Sequence, residues 1–314
     1  MKLKKPKFWD KNKPNFISNL LSPLAKIVEL KNKFQPKSKN KFKDIRTICV
    51  GNIYLGGTGK TSIAIEIKKI LDNENIRSCF IKKDYSDQVD EQNLLKKFGK
   101  VFTNKSRVLA LKNAMSEKYQ VAIFDDGLQD KSIFYDLSFV CFNKKNMIGN
   151  GRIIPAGPLR ESLNHLKEYQ NVFLNGNNEE TDNLKNILMK QDSNLNIFNS
   201  TYEPLNLKDL NLNDKYVVFS GIGNHNTFVD TLIKNKINVI QNIEFPDHYN
   251  YCKKDLEKII KLSEEKKAFV LTTEKDYLRL NAHYQNKFAF IQTYLKIDKP
   301  DELKEKLKRV YETI

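Results

Sequence analysis

The sequence predicts an α/β protein: a mostly parallel sheet with flanking helices, then a second, smaller α/β domain, with an amphipathic helix at the N-terminus. Three observations predict it. From residue 45 onward, apolar β-branched runs alternate with helix-period segments, the pattern of a parallel sheet with crossover helices. A glycine cluster lies between the strand-like run 46–51 and the helical spacing of Ile63, Ala64, Ile65 and Ile67. A polar, Asn-rich stretch over 175–200 separates two such alternating sets.

Residues 1–44 carry thirteen lysines against Asp10, Glu29 and Asp44, a net of +10 out of +16 for the 314-residue chain. The excess is local and points to a local anionic partner, not to nucleic acid gripped across a whole face. Within this segment Phe16, Ile17, Leu20, Leu21, Leu24, Ile27, Val28 and Leu30 recur at helical spacing. A span would need about 20 apolar residues, and Ser18, Asn19, Ser22 and Lys26 interrupt this one. Two readings remain: a helix lying on an anionic membrane surface, or one packed on the domain with Pro23 as a kink. The basic start, 1–13, is followed by no apolar core or cleavage site of a secretory signal.

Strands are expected at 46–51, 76–82, 99–102, 120–124, 137–142 and 171–174, giving a domain over 45–205, with 175–200 as a loop and peripheral helix. A second set, 215–220, 237–243, 267–272 and 287–292, with helices near 225–235, 253–264 and 300–312, gives a domain over 206–314. Four scattered cysteines and four histidines make no metal-ligand spacing and fit a reducing compartment.

The chemistry starts at Gly56-Gly57-Thr58-Gly59-Lys60-Thr61-Ser62. A strand, a glycine turn and a helix N-terminus aim backbone N–H groups at a polyphosphate, as in P-loop NTPases. Lys60 suits the β- and γ-phosphates, and the Thr61 hydroxyl suits Mg²⁺. Tyr54 stands where the usual pattern has its first glycine. The run Val121–Phe124 ends in Asp125 and Asp126, either metal-side acids at a strand end or an ordinary Asp-Gly turn. Pro155-Ala156-Gly157-Pro158-Leu159-Arg160-Glu161 must be a rigid turn; Arg160 is a phosphate clamp and Glu161 a metal acid, or the two form a surface ion pair. His248, in Phe-Pro-Asp-His-Tyr, is either a general base or structural. Asp90-Glu91 reads alone as solvated charge. Ser220-Gly221-Ile222-Gly223-Asn224 is half a dinucleotide fingerprint, and Thr273-Glu274-Lys275-Asp276 either caps a helix or faces the cleft.

In order and spacing these motifs, with Phe8-Trp9 near the start, resemble the tetraacyldisaccharide 4′-kinase family, over most of the chain. Tyr54 agrees with that family's loop. The resemblance implies a peripheral lipid kinase at the cytoplasmic face of the bacterial inner membrane. It would move the γ-phosphate of ATP, with Mg²⁺, to the 4′-hydroxyl of a tetraacyldisaccharide 1-phosphate. It implies Lys60 and Thr61 at the triphosphate, Asp125, Asp126 and Glu161 around the metal, and Arg160 on a phosphate. It also implies an acid–histidine pair, Asp90 and His248, from opposite domains. The family's R-G-Y-G-R stretch is reduced here to Lys82-Lys83-Asp84-Tyr85-Ser86-Asp87, and the histidine after D-D-G-[FL]-Q is Asp130. The rivals are a partitioning or metal-carrier ATPase, whose signature lysine position is Leu55 here, and a catalytically impaired membrane-bound homologue. No obligate protein partner is expected.

Overall fold

The computed structural model of the chain describes residues 5–34, 41–84, 89–177 and 181–312, without the side chains of residues 89 and 90. The strands are β1 (Arg46–Gly51), β2 (Ser78–Lys83), β3 (Val101–Asn104), β4 (Val121–Asp125), β5 (Leu137–Asn143), β6 (Asn171–Asn175), β7 (Asn196–Pro204), β8 (Lys215–Ser220), β9 (Asn238–Glu244), β10 (Phe269–Thr273), β11 (Ala289–Ile291) and β12 (Thr293–Ile297). Eight of them form one sheet in the order β12-β7-β6-β5-β1-β4-β2-β3, and the other four form a second in the order β11-β10-β8-β9. Pairing is parallel throughout except between β12 and β7.

Both faces of the large sheet are covered, which is why its strands read as unbroken apolar runs. Side chains alternate between faces along β1. Ile48 and Val50 meet Ile63, Ile67, Leu303 and Leu307, while Cys49 joins the opposite core with Ala110, Leu111 and Ala25. The small sheet is built likewise: Val217 and Phe219 pack on Leu256 and Ile259, and Val218 on Phe228 and Leu232. β1 sits between β5 and β4, and the chain leaves it to form β2 on one side and later β5 on the other. That is a topological switch point, where the carboxyl ends of parallel strands leave an open crevice.

Two parts of the sequence reading are corrected. The Asn-rich stretch ends in a nine-residue strand, β7, whose asparagines and serines enter the sheet beside Ile197 and Phe198, both buried. The end of the chain, grouped in sequence with the second domain, returns to the first: β12 pairs with β7, and the helix Pro300–Tyr311 buries Leu303 and Leu307 against the helix Lys60–Asn73. The periodicity shows that these segments are ordered but not which sheet they join.

At the N-terminus, helices Phe16–Leu20 and Ser22–Phe34 are separated at Leu21. Pro23 lies in the first turn of the second helix, where its missing N–H costs nothing, so it starts that helix and does not kink one. Only a thin edge is packed: Ser18 and Ala25 are buried, with Leu21 and Val28 against the core. Phe16 (81% exposed), Leu20 (69%), Leu24, Ile27, Leu30 and Phe34 form an outward apolar stripe.

Candidate active site

The glycine loop leaves β1 at Gly51 and enters the helix Lys60–Asn73 through Gly59, whose φ of +83° is a left-handed conformation that favours glycine. Asn52 holds the loop from within, its Nδ2 donating to the carbonyls of Tyr54 (2.6 Å) and Gly56 (3.1 Å). Tyr54 is fully buried, and its hydroxyl donates to Asp10 and accepts from Lys5 Nζ at 2.8 Å. Burial first, and then Asp10, push the phenol pKa up, so it stays protonated. The tyrosine therefore ties the loop to the N-terminal segment. The Pro155–Glu161 motif lies alongside, with Leu55 N donating to Pro158 O (2.8 Å) and Arg160 N to Ile53 O (2.6 Å).

Asp125 ends β4, directly opposite Val50 of β1. Its Oδ2 accepts from the Thr61 hydroxyl at 3.1 Å and from Lys82 Nζ at 2.6 Å. Its Oδ1 is buried and has no hydrogen-bond partner among the described residues. Asp126 follows with a φ of +64°. It is bonded to Arg160 Nη1 at 2.8 Å, with Lys60 Nζ 3.9 Å away. Burial raises the Asp126 pKa, but Lys60 and Arg160 outweigh it, and the carboxyl stays below its ordinary range. Glu161 is not brought to this group. Its oxygens face Gln129 Nε2 (2.8 Å), the Tyr169 hydroxyl (3.1 Å) and His165 Nδ1 (3.1 Å) in the interior. Gln129 also accepts from Arg160 at 3.2 Å, so Glu161 reaches the site only through Gln129.

The second sheet closes over the loop. A Cβ on Gly57 would lie 2.7 Å from the carbonyl carbon of Gly223, so here two glycine backbones touch. The half fingerprint around Gly223 is a helix start: Asn224 accepts from Thr227 N (3.1 Å) and caps the helix His225–Lys234. Thr273 likewise caps the short helix Glu274–Tyr277, and that turn also sends Lys275 into the cleft. Both sequence readings of that motif hold together. His248 has a φ of +55° and its N–H donates to Gly221 O at 3.0 Å. Its Nε2 lies 3.6 Å from Glu91 Oε1, across the cleft. Asp90 lies outside the residues whose side chains are described.

Glu91 was missed as a site residue because, in sequence, it reads as surface charge. In the fold it accepts from Lys82 Nζ (2.6 Å) and lies 3.3 Å from Lys275 Nζ. Burial raises its pKa, but Lys275, Lys82 and Lys60 hold the carboxyl well below the usual range. Lys82, 1% exposed, was missed for the same reason: a lysine at a strand end normally reaches water. Burial pulls its pKa down, and Asp125 and Glu91 more than reverse this.

The resulting cleft, of about 1060 Å³, is lined by the whole run Gly56–Ser62, by Glu91, Asp126 and Arg160, and by His248 and Lys275 of the second unit. The loop fits a triphosphate: glycine backbones at a helix N-terminus, with a lysine beside them. Thr61 and the unpaired Oδ1 of Asp125 are suited to Mg²⁺, which takes one or two carboxylates and draws its other ligands from phosphate and water. Among the described residues no group of three or more acidic, histidine or cysteine side chains forms a ready-made metal cage.

A sequence profile of the tetraacyldisaccharide-1-P 4′-kinases matches residues 17–312. The tetraacyldisaccharide 4′-kinase of Pelagibacter ubique is 52% identical over 312 residues, covering 99% of each chain. That of Rickettsia typhi is 33% identical over 327 residues, covering 98% of each. A crystal structure of LpxK from Aquifex aeolicus, in complex with ATP, superposes with a TM-score of 0.70 at 22% identity, over 94% of this chain and 100% of that one. With its motifs in one cleft and a match along nearly its whole length, the chain belongs to the tetraacyldisaccharide-1-P 4′-kinase family, the ATP-dependent kinases of lipid A biosynthesis.

Proposed function

We propose that the chain transfers the γ-phosphoryl group of ATP to the 4′-hydroxyl of a tetraacyldisaccharide 1-phosphate while seated on a membrane surface. The observation that carries this reading is the shared opening: the phosphate loop with Lys60 and Thr61 on one wall, His248 on the other. In this arrangement Gly56–Gly59 and Lys60 hold the triphosphate. Thr61 and Asp125 hold Mg²⁺, which when bound neutralises charge on the phosphates. Arg160, fixed by Asp126 and Gln129, contacts a phosphate, and Glu161 supports it through Gln129. His248 takes the proton of the sugar hydroxyl with Asp90 as its acid partner in the reaction, and Glu91 Oε1 lies 3.6 Å from its Nε2. The two glycine backbones at Gly57 and Gly223 help exclude water, the competing acceptor.

The membrane part rests on the outward stripe of Phe16, Leu20, Leu24, Ile27, Leu30 and Phe34, with Lys26, Lys31 and Lys33 around it. An amphipathic helix of this kind lies in the headgroup region and adds electrostatic attraction to anionic lipid. No helix among the described residues is long and apolar enough to cross a membrane. We place this peripheral seat on the cytoplasmic face of the bacterial inner membrane, the side on which ATP, the proposed donor, is available.

Transfer of labelled phosphate from ATP to the disaccharide, in detergent with Mg²⁺, tests the reaction. Absence of labelled disaccharide from a protein that still binds ATP overturns the assignment. Leu20→Glu with Ile27→Glu tests the surface. It is expected to weaken sedimentation with phosphatidylglycerol vesicles at least tenfold and leave transfer to a short-chain, micelle-free acceptor unchanged. Equal vesicle binding by both proteins would refute the seat.

A further inference from the structure

The phosphate loop and the histidine wall belong to different sheets, yet one chain of charges joins them. It runs from Thr61 Oγ1 to Asp125 Oδ2 (3.1 Å), to Lys82 Nζ (2.6 Å), to Glu91 Oε2 (2.6 Å). From the other oxygen of Glu91 it continues to Lys275 Nζ (3.3 Å) and His248 Nε2 (3.6 Å). Lys82 is the middle link, its side chain 2% exposed between carboxylates that are 0% and 19% exposed. An ammonium is rarely buried at all, and one placed between two acids is held there by both. Nothing in the hydrophobic packing of β2 calls for it: Phe80 and Ile81, its neighbours in the strand, are core residues on opposite faces.

We infer that Lys82 is a positioning residue for phosphoryl transfer: a fixed internal cation that aims Asp125 at the metal and Glu91 at the closing wall. Its ammonium occupies Oδ2 of Asp125, so Oδ1, without a partner among the described residues, is the oxygen left for Mg²⁺. It occupies Oε2 of Glu91, so Oε1 is the oxygen presented to His248 and Lys275. The two halves of the reaction, donor held by the loop and acceptor met from the second sheet, are thereby held in one register. The positive charge also lowers the negative potential at Asp125, so metal affinity is held down in exchange for alignment. This inference rests on the kinase reading above, and its test includes a measurement that needs no lipid.

Lys82→Met and Glu91→Gln are made in the full chain. For each, Mg²⁺ is titrated into protein carrying a fluorescent ATP analogue, kcat and KM for ATP are measured, and thermal unfolding reports the fold. Lys82→Met removes the cation competing at Asp125. It is expected to lower the Mg²⁺ midpoint at least threefold while kcat drops at least tenfold and KM for ATP moves less. Glu91→Gln leaves the Lys82–Asp125 pair in place. It is expected to lower kcat by a similar factor without shifting the Mg²⁺ midpoint, and the double variant is expected to lose less than the product of the single losses. A purely structural lysine predicts the reverse: an unchanged or weaker Mg²⁺ midpoint, and losses that multiply. That pattern, or a wild-type kcat in either variant, overturns the inference. Should Lys82→Met fail to fold, Glu91→Gln decides alone, since its kcat must fall with the metal midpoint fixed. A wild-type protein inactive on the disaccharide would refute the kinase reading, and the metal titration would still judge Lys82.

Discussion

Replacing Lys60 with alanine is expected to reduce kcat/KM for ATP by about 10²–10³-fold, the usual effect of removing one preorganised group that stabilises transition-state charge. Lys60 opens the helix Lys60–Asn73, so its ammonium stands where the helix N-terminus is already positive. The fold is expected to survive. Asp126 loses a neighbour 3.9 Å away but keeps Arg160 at 2.8 Å, so no buried carboxylate is left without a cation. Two measurements check this together: steady-state rates against ATP concentration, and binding of a fluorescent ATP analogue. Retained analogue binding with a lost rate places Lys60 mainly on the transition state, and loss of both places it on the ground state as well. Wild-type rates from the variant would remove the loop from the reaction.

His248→Ala is expected to act differently, reducing kcat by about 10²–10⁴-fold, the contribution of a positioned general base. ATP affinity should stay within a few-fold of wild type, because the histidine belongs to the wall opposite the loop. The backbone supplies a control. With φ at +55°, alanine at this position adds strain that asparagine largely avoids. His248→Asn is therefore expected to restore the thermal midpoint and not the rate. If asparagine restores the rate as well, the histidine serves the backbone and not the proton.

The loop, both aspartates and His248 were legible in the sequence because each follows a strand-like run and carries residues with few structural uses at that spacing. The strands that escaped notice are the polar ones. β7 enters the sheet on Ile197 and Phe198 among asparagines and serines, and β12 pairs antiparallel with it at the sheet edge. Only Ile197, Phe198 and Ser200 of β7 and Leu295 of β12 are buried, so the unbroken apolar run that marks a strand covered on both faces is missing. Glu161 was legible as important but not as internal: His165 and Tyr169 follow it closely, but Gln129, which completes its enclosure, lies 32 residues before it. Lys82 and Glu91 were invisible for a related reason. A charge reads as solvated until the fold supplies its counter-charge, and Asp125 lies 43 residues beyond Lys82.

The N-terminal helices are not a loose appendage. Asn32 donates to the carbonyl of Arg160 at 3.0 Å, Ser18 to that of Ala156 at 2.7 Å, and Lys5 to Tyr54 in the phosphate loop. The stripe proposed to face lipid and the loop proposed to hold phosphate are therefore one rigid piece. A molecule laid down along that stripe loses the freedom to tumble, and its cleft opens in one direction relative to the lipid plane. Encounter with the acceptor becomes a search in two dimensions, governed by how many lipid molecules lie in a patch of surface and not by how many are in the volume around it.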